Sequence, residues 1–303
     1  MKKILVFGAN GLVGSSLVRI LGNSFKVIPS TRKDTNLFNF KETKAKIEET
    51  EPDIIVNAAA KVGGIVANNT FRTSFIIENL KINLNILENL INKVNIKFIN
   101  LGSSCIYPLG VNNPIQEADI MSGKLEPTNS PYAMAKLTAI EIGDALNKEY
   151  GNKIVNLMPT NLYGPNDNFS AETSHVIPGL ISRMYAAKLN SEPEFYIWGT
   201  GNPLREFLYV DDLADAVSFV ISNDISNSIL NVGSGVEISI KDLAIKIKSL
   251  LKYEGELLFD STMPDGNPRK LLDSKLINNL GWSIKTSLDT GLVKTINWYK
   301  QQI

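Results

Sequence analysis

The chain contains very little cysteine and very little histidine. Among its 303 residues there is one of each, Cys105 and His175. A single cysteine can form neither an intramolecular disulfide nor a zinc site built from several thiolates. We therefore expect a reducing, cytoplasmic location and no metal centre.

Two further absences exclude classes of partner. The 31 Lys and Arg residues balance the 31 Asp and Glu residues, so the chain has no net charge that would attract nucleic acid or an anionic membrane. No apolar run approaches the ~20 residues of a membrane span, and the run Ile4–Phe7 is too short for a signal peptide. We expect neither nucleic acid nor membrane as a partner, and any anionic ligand must be held locally.

Short β-branched runs alternate with amphipathic stretches of helical length through the first half of the chain. This alternation predicts strands of a parallel sheet joined by helices. The predicted strands are Ile4–Phe7, Phe25–Pro29, Ile54–Asn57, Ile96–Leu101 and Lys153–Met158, and the predicted helices are Leu12–Leu21, Lys41–Thr50, Phe71–Asn92 and Tyr132–Tyr150. Repeated strand–helix units predict an α/β fold with a doubly wound, Rossmann-type parallel sheet.

The regular alternation fades after Pro159. The remaining mixture of short strands and helices predicts a smaller, mixed α/β C-terminal domain that covers the carboxyl edge of the sheet and holds the substrate there. Residues 210–221 and 229–232 read as a helix and a strand that return to the main sheet. We therefore expect a cofactor domain of residues 1–162 plus about 206–233, and a substrate domain of residues 163–205 and 234–303. The polar segment 108–131 has no period and is expected to be a loop beside a ligand.

A glycine-rich segment joins the first strand to the first helix. Its sequence is Gly-Ala-Asn-Gly-Leu-Val-Gly, from residue 8 to residue 14. Small residues at this turn let the backbone approach a pyrophosphate, and the first amides of the helix complement the anion. The residues expected to bind a dinucleotide here are Gly8, Asn10, Gly11, Leu12, Val13 and Gly14.

The end of the second strand indicates which dinucleotide is bound. An NAD-selective site places an acidic residue there, but this chain continues as Ser-Thr-Arg-Lys from residue 30. Positive charge suits a 2′-phosphate, which predicts NADP(H) bound through Arg32. The alternative is that Arg32 and Lys33 only belong to a solvated loop.

Tyr132 and Lys136 stand four residues apart on a predicted helix, so their side chains share one face. A nearby ammonium favours the phenolate and is expected to lower the pKa of Tyr132 from its usual ~10. Lys136 could also hold a nicotinamide ribose. Ser103 lies at the carboxyl end of the fourth strand, where it can share a substrate carbonyl with Tyr132. Glycines, Ser, Tyr and Lys in this order predict a short-chain dehydrogenase.

Several longer segments resemble one family in particular. They are residues 58–69 (AAAKVGGIVANN), 102–108 (GSSCIYP), 125–129 (LEPTN), 158–165 (MPTNLYGP), 174–178 (SHVIP), 205–208 (REFL) and 268–273 (PRKLLD). Together they resemble the GDP-L-fucose synthases, within the extended short-chain dehydrogenase/reductase superfamily, and the likeness spans essentially the whole chain.

The resemblance implies a two-stage reaction on GDP-4-keto-6-deoxy-D-mannose: epimerisation at C3 and C5, followed by reduction of the C4 ketone by NADPH. Ser103, Tyr132 and Lys136 match the reductive residues of the family, and Cys105 and His175 match its epimerisation pair. Reference pKa values of ~8.5 and ~6.5 would let a thiol and an imidazole exchange protons near neutrality. Which of the two removes the proton, and in which order the carbons react, stays open.

The resemblance also implies binding residues and an assembly. The implied substrate contacts are Asn161, Arg183, Trp198, Arg205 and Lys270. The further implied cofactor contacts are Leu101, Gly102, Ser103, Lys136, Pro159, Thr160, Asn161, Leu162 and His175. Each Arg could instead form a surface salt bridge, and Asn161 could hold the turn that follows it. Some relatives carry an Arg where this chain has Asn10, which leaves more of the 2′-phosphate binding to Arg32. A homodimer formed through two helices of the main domain is also implied.

Three other functions compete with this one. A nucleotide-sugar 4-epimerase or 4,6-dehydratase would share the glycines, Tyr132 and Lys136 but would not need Cys105 and His175. A dehydratase would in addition be expected to carry acidic groups where this chain has Ser104 and Cys105. A non-catalytic NADPH sensor would keep the glycines and lose the Tyr and Lys pair, whereas here both are present.

Overall fold

A computed structural model of the chain describes residues 1–170, 173–263 and 265–303. The strands are β1 (Lys3–Phe7), β2 (Lys26–Ser30), β3 (Ile54–Asn57), β4 (Lys97–Leu101), β5 (Lys153–Pro159), β6 (Asn161–Tyr163), β7 (Glu194–Trp198), β8 (Leu204–Tyr209), β9 (Ile229–Val232), β10 (Glu237–Ser239), β11 (Glu256–Asp260) and β12 (Arg269–Lys270). The helices are α1 (Leu12–Leu21), α2 (Phe40–Thr50), α3 (Ile65–Thr70), α4 (Arg72–Glu88), α5 (Ser130–Tyr150), α6 (Val176–Leu189), α7 (Val210–Ser222), α8 (Ile240–Leu251), α9 (Lys275–Asn279) and α10 (Leu288–Lys300).

The main sheet has six parallel strands in the order β2-β1-β3-β4-β5-β9. The side chains of Ile4–Phe7 in β1 are fully buried, as apolar runs are in parallel sheets that helices cover on both faces. From β1 the chain moves to β2 on one side and to β3, β4 and β5 on the other. The strand order therefore reverses between β1 and β3, and a crevice forms there at the carboxyl ends of the strands.

Helices cover both faces of this sheet. On one face α1 and α7 pack through Leu17 and Val217, and on the other α2, α4 and α5 pack through Ile47, Ile86 and Leu146. The predicted α/β fold with a doubly wound, Rossmann-type sheet is therefore confirmed.

The smaller part of the molecule has its own core. Strand β8 pairs with β6, β10 and β12, while β7 pairs with β11. Ile181, Phe195, Phe207 and Ile247 lie in one buried cluster with residues of α10. Strand β9 pairs with β5 of the main sheet, whereas the domain boundaries expected from the sequence remain a prediction.

One predicted helix differs from the structure. The stretch expected as a single helix over residues 71–92 is preceded by the short helix α3, and α4 ends at Glu88. Phe71 joins α3 to α4 with φ −104° and ψ 36°, outside helical geometry, and Asn92 lies in the left-handed region at φ 62°. The predicted helix therefore starts within one residue of α4 and extends four residues beyond its end, and the short helix α3 was not predicted.

The segment 108–131 contains one short 3₁₀ turn, Glu117–Asp119, is otherwise irregular up to residue 129, and ends in the first two residues of α5. It is tied to the strand-like stretch after β12. The Ile115 N–H donates to Leu271 O over 2.8 Å, and the Asp273 N–H donates to Ile115 O over 2.7 Å. Glu117 of the same segment accepts the N–H of Asn231 in β9 over 2.9 Å, so the segment joins the smaller part of the molecule to the main sheet.

Within the described ranges, no helix is long and apolar enough to cross a bilayer. The same part of the chain contains no group of three His, Cys, Asp or Glu side chains arranged to hold a metal ion.

Candidate active site

A cleft of about 170 Å³ lies at the carboxyl ends of β1 and β2. Gly8, Asn10, Gly11 and Arg32 all line it, and further lining residues are Ser30, Thr31, Thr35, Asn36, Leu37, Phe38 and Ala58–Ala60. The Arg32 guanidinium lies 6.0 Å from the centroid of the Phe38 ring. The structure thus brings four of the predicted cofactor residues into one cleft, and Lys33 is not part of its lining.

The glycine-rich turn is packed too closely for side chains at two positions. Gly8 has φ +76°, and a Cβ there would lie 2.6 Å from Ala59 N, while a Cβ on Gly14 would overlap Gly8 O. Gly11 is the N-cap of α1 and caps it without a side-chain hydrogen bond. The first amides of α1, including those of Leu12 and Val13, are therefore free to meet an anion, as a dinucleotide pyrophosphate requires.

Two residues at the carboxyl end of β4 fix the neighbouring turn. The Gly102 N–H donates to Leu157 O over 2.8 Å, and a Cβ on Gly102 would overlap the side chain of Met158. Ser103 caps a one-turn 3₁₀ helix, Ser104–Ile106, and its Oγ accepts the Cys105 N–H over 3.3 Å. The hydroxyl and the thiol are thereby held on one turn at the edge of the sheet.

Tyr132 and Lys136 lie on the first turns of α5. The Lys136 Nζ donates to Leu101 O over 2.7 Å and lies 5.8 Å from the centroid of the Tyr132 ring. Burial raises the pKa of Tyr132, with a second contribution from Cys105. Burial also lowers the pKa of Lys136 to about 8.

The expectation that Lys136 lowers the pKa of Tyr132 is wrong for this structure. Burial of the phenol outweighs any effect of the ammonium, because the charged form of a desolvated phenol is strongly disfavoured. The ammonium donates to the Leu101 carbonyl and is itself destabilised by burial. The Tyr132 phenol therefore stays protonated at pH 7.

Cys105 is buried, with 8% of its surface exposed. Burial raises the pKa of its thiol, while Lys270, the Ser103 hydroxyl and Lys136 act in the opposite direction. The two cations that favour the thiolate therefore come from different parts of the molecule: Lys136 from α5 and Lys270 from β12. The thiol, Tyr132, Lys136 and Lys270 form one electrostatic cluster.

His175 is the N-cap of α6. The residue is exposed, and desolvation by the protein atoms around the imidazole lowers its pKa. The residue before it packs against Gly64, whose N–H donates to Thr173 O over 3.2 Å. Gly63 in turn packs against Phe75, and the Phe75 ring meets Tyr132 edge-on at 6.4 Å between centroids. Among the described residues the imidazole makes no hydrogen bond to Cys105 or Tyr132. The contacts through residues 63–64 and Phe75 connect the His175 end of α6 to Tyr132.

Near pH 7 the thiol and the imidazole are both uncharged, because their pKa values move away from neutrality in opposite directions. A neutral imidazole can accept a proton and a thiol can give one. The pKa of His175 therefore lies below neutrality and that of Cys105 above it, as expected, but the two values are further apart than the reference values.

The predicted substrate residues fall into two groups. Arg183 donates to Tyr196 O over 2.6 Å and lies 5.9 Å from the Trp198 ring, which is 52% exposed. Arg205 and Lys270 are paired residues of the neighbouring strands β8 and β12. Burial lowers the pKa of Arg183, Arg205 and Lys270. Neither Arg205 nor Arg183 forms an ion pair within the described ranges, so the expected alternative of surface salt bridges does not hold there.

The stretch from Pro159 to Leu162 runs from β5 into β6. The Thr160 hydroxyl and the Asn161 amide both donate to Glu206 O, over 3.2 and 2.8 Å. Leu162 pairs in register with Leu208. The Asn161 amide nitrogen thus holds the backbone junction of β6 and β8. This contact lies on β8 and not on the turn that follows Asn161, so the turn-holding alternative stays untested.

A sequence model of the NAD dependent epimerase/dehydratase family matches residues 4–233. The chain belongs to this family. A probable GDP-L-fucose synthase 1 from Oryza sativa subsp. japonica is 45% identical over 99% of the chain and 93% of that protein. A GDP-L-fucose synthase from Escherichia coli (strain K12) is 41% identical over 98% of the chain and 96% of that protein. The resemblance inferred from the motifs is therefore confirmed.

A crystal structure of a GDP-L-fucose synthetase from Naegleria fowleri bound to NADP shares the architecture of this family member. It has a TM-score of 0.89 and 28% sequence identity, and the match covers 99% of the present chain and 94% of that one.

Sequence reasoning missed three residues around the site. Glu206 is fully buried beside the predicted Arg205, and Phe75 packs on Tyr132. The negative charge of Glu126 raises the pKa of Lys270, opposing the effect of burial. Glu206 and Glu126 both lie inside segments that carried the family resemblance, residues 205–208 and 125–129. That position was the only sequence signal that could have indicated them. The burial of Glu206 and the approach of Glu126 to Lys270 depend on contacts between segments far apart in the chain and could not be read from the motifs.

Proposed function

We propose that the protein is an NADPH-dependent epimerase and reductase that converts GDP-4-keto-6-deoxy-D-mannose into GDP-L-fucose. The observation that carries the proposal is the cluster of Cys105 with Tyr132 and Lys136 at the carboxyl end of β4. A phenol that holds a ketone is enough for reduction, whereas proton exchange at the carbons that flank the ketone needs a further acid–base group, which a thiol beside the phenol can supply. The full-length relatives named GDP-L-fucose synthase support the same reaction.

The proposed cofactor is NADP(H), and when bound its nicotinamide supplies the hydride for C4. Arg32 would hold the 2′-phosphate, since it is a cation in the lining of the cleft. Gly11 and the first amides of α1 would hold the pyrophosphate. The residues proposed to line the nicotinamide side are Leu101, Gly102, Ser103, Lys136, Pro159, Thr160, Asn161, Leu162 and His175.

In the proposed reduction Tyr132 gives its hydroxyl proton to the C4 oxygen while a C–H bond forms at C4. Its raised pKa keeps the phenol protonated until that moment. Ser103 donates a second hydrogen bond to the same oxygen. Lys136 stands 5.8 Å from the ring and favours the phenolate that remains.

In the proposed epimerisation a base removes the proton from C3, and the electron pair moves into the ketone to form an enolate. Tyr132 and Ser103 would stabilise the enolate oxygen. A proton then returns to C3 from the opposite face, and the same exchange follows at C5, so that no proton or electron is gained overall. Cys105 and His175 are the proposed pair, and either could act first as the base.

Arg205 and Lys270 would bind the diphosphate, and Arg183 with the exposed Trp198 would bind the guanosine end of the substrate. A homodimer is part of the proposal. The groove between α4 and α5 is lined by exposed Ile77 and Met134, which a second copy would cover. A cytoplasmic location is proposed as well, because a reducing compartment keeps Cys105 as a thiol.

Turnover of the purified protein tests the proposal. With GDP-4-keto-6-deoxy-D-mannose we expect oxidation of NADPH, detected as the loss of NADPH absorbance, and GDP-L-fucose as the product. The UDP-linked keto-sugar is the matched control and should react far more slowly. Equal rates with both sugars, or NADPH oxidation without inversion at C3 and C5, would contradict the proposal.

A further inference from the structure

Glu206 is a buried carboxylate whose place in the structure is unusual. It is fully buried, and burial raises its pKa. None of the ion pairs between described residues includes it. A buried carboxylate without a cation destabilises the fold unless its oxygens accept hydrogen bonds. The hydrogen-bond donors around Glu206 therefore determine whether it can be buried there.

Those donors include backbone amides from two distant segments, together with the Thr160 side chain. The Gly235 N–H donates to one carboxylate oxygen over 2.7 Å, and the Leu272 N–H donates to the other over 3.1 Å. A Cβ on Gly233 would overlap the carboxylate, so the loop after β9 is shaped around it. The main-chain oxygen of Glu206 meanwhile accepts from Thr160. One residue thus joins the end of β5, the loop after β9 and the stretch after β12.

The stretch after β12 directly follows Lys270. Strand β12 has two residues, and Lys270 is paired in register with Arg205 of β8. Such a short ladder is weak by itself, and the Leu272 hydrogen bond to Glu206 extends it. The charged groups that influence Cys105 are Lys270 from β12 and Lys136 from α5. The position of β12 therefore sets how close one of these two cations comes to the thiol.

We propose that Glu206 is a positioning residue whose carboxylate fixes the Lys270 strand relative to Arg205 and Cys105. The two cations and the thiol are thereby held in one arrangement around the substrate. The proposal rests on the proposed function for its substrate, while the arrangement of Lys270 and Cys105 can be measured without any substrate.

Glu206→Gln tests the proposal, because the amide keeps one acceptor and turns a donor toward the other backbone N–H. The matched control is Glu254→Gln, at an exposed carboxylate. Since Cys105 is the only cysteine, the rate of alkylation by iodoacetamide against pH reports the thiol alone. We expect the Glu206→Gln alkylation rate at pH 8 to fall at least about threefold and its midpoint to move to higher pH, because a displaced Lys270 no longer favours the thiolate.

Three comparisons separate this role from general destabilisation. Lys270→Met should move the alkylation midpoint in the same direction, and the double variant should add little to either single change. The KM for the GDP-sugar should rise about tenfold in Glu206→Gln, and the Kd for NADPH should stay within about twofold. An unchanged alkylation midpoint in folded Glu206→Gln would overturn the proposal, as would equal losses in NADPH and GDP-sugar binding with no change in alkylation.

Two further results remain decisive. If Glu206→Gln does not fold, Glu206→Asp takes its place, because it keeps the charge and reaches only one of the two amides, and it should show a smaller shift of the same sign. If the wild type does not turn over the GDP-sugar, the proposed function fails while the alkylation comparison still decides the role of Glu206.

Discussion

Replacing Arg32 by Ser should remove the preference for NADPH. The guanidinium lies in the lining of the cofactor cleft and 6.0 Å from the Phe38 ring, while Asn10 brings no charge to the same cleft. A hydrogen bond to a charged group contributes about 1.5–3 kcal/mol, and every ~1.4 kcal/mol is a factor of ten in affinity. We therefore expect the Kd for NADPH to rise roughly 10- to 150-fold.

The dissociation constants of NADPH and NADH, measured by fluorescence titration, provide the assay. NADH lacks the 2′-phosphate, and so its Kd should stay within about twofold in Arg32→Ser. The control is Lys33→Ser, since the neighbouring cation is exposed but does not line the cleft. An Arg32→Ser protein that keeps its NADPH affinity, or a Lys33→Ser protein that loses as much, would refute the role given to Arg32.

Three other predictions concern the reaction, the stability and the assembly. Tyr132→Phe should slow reduction of the C4 ketone by about 10²- to 10⁴-fold and slow deuterium exchange at C3 and C5 much less, because Ser103 would still hold the ketone oxygen. An unaltered reduction rate would reject the phenol as proton donor. Lys136→Met should be inactive, yet its folded state should be more stable at pH 7 by about 2 kcal/mol. Lowering the pKa of Lys136 from 10.5 to about 8 destabilises the wild-type fold by about 3 kcal/mol, and the variant avoids this cost. The variant loses the hydrogen bond to Leu101 O, which removes about 1 kcal/mol of that gain. Between those two pKa values the unfolded chain binds one proton more than the folded chain, so the stability of the wild type rises with pH in that range. The difference in unfolding free energy between Lys136→Met and the wild type, measured by urea unfolding, should therefore shrink between pH 8 and pH 10.5. A constant difference would contradict the burial argument. Ile77→Glu should give a monomer in light scattering, and a dimer of unchanged stability would exclude this groove as the interface.

The main sheet could be predicted because its signal is local. Each of its first five strands is an apolar, β-branched run, and the glycine-rich turn after β1 allows few other structures. The spacing of Tyr132 and Lys136 likewise placed both on one helix. Apolar periodicity did not reveal the six-residue helix α3, and it did not reveal the end of α4 at Glu88 because the apolar residues after Glu88 continue the pattern.

The electrostatics of the site could not be predicted in the same way. Spacing suggested that Lys136 lowers the pKa of Tyr132, but the direction depends on how much protein surrounds the phenol and on the Leu101 carbonyl that receives the ammonium. The role of Glu206 depends on amides of residues 235 and 272, which no local pattern connects to it. The roles of Cys105 and His175 and the division into two domains stay predictions.

Exchange of the sugar protons with solvent tests the central claim most directly. The keto-sugar would be incubated with enzyme and the oxidised cofactor in D₂O, and deuterium at C3 and C5 would be followed by NMR for the wild type, Cys105→Ser and His175→Ala. We predict deuterium at both carbons with the wild type and loss of exchange in each variant. Exchange that continues at both carbons in both variants would contradict the proposed epimerisation pair.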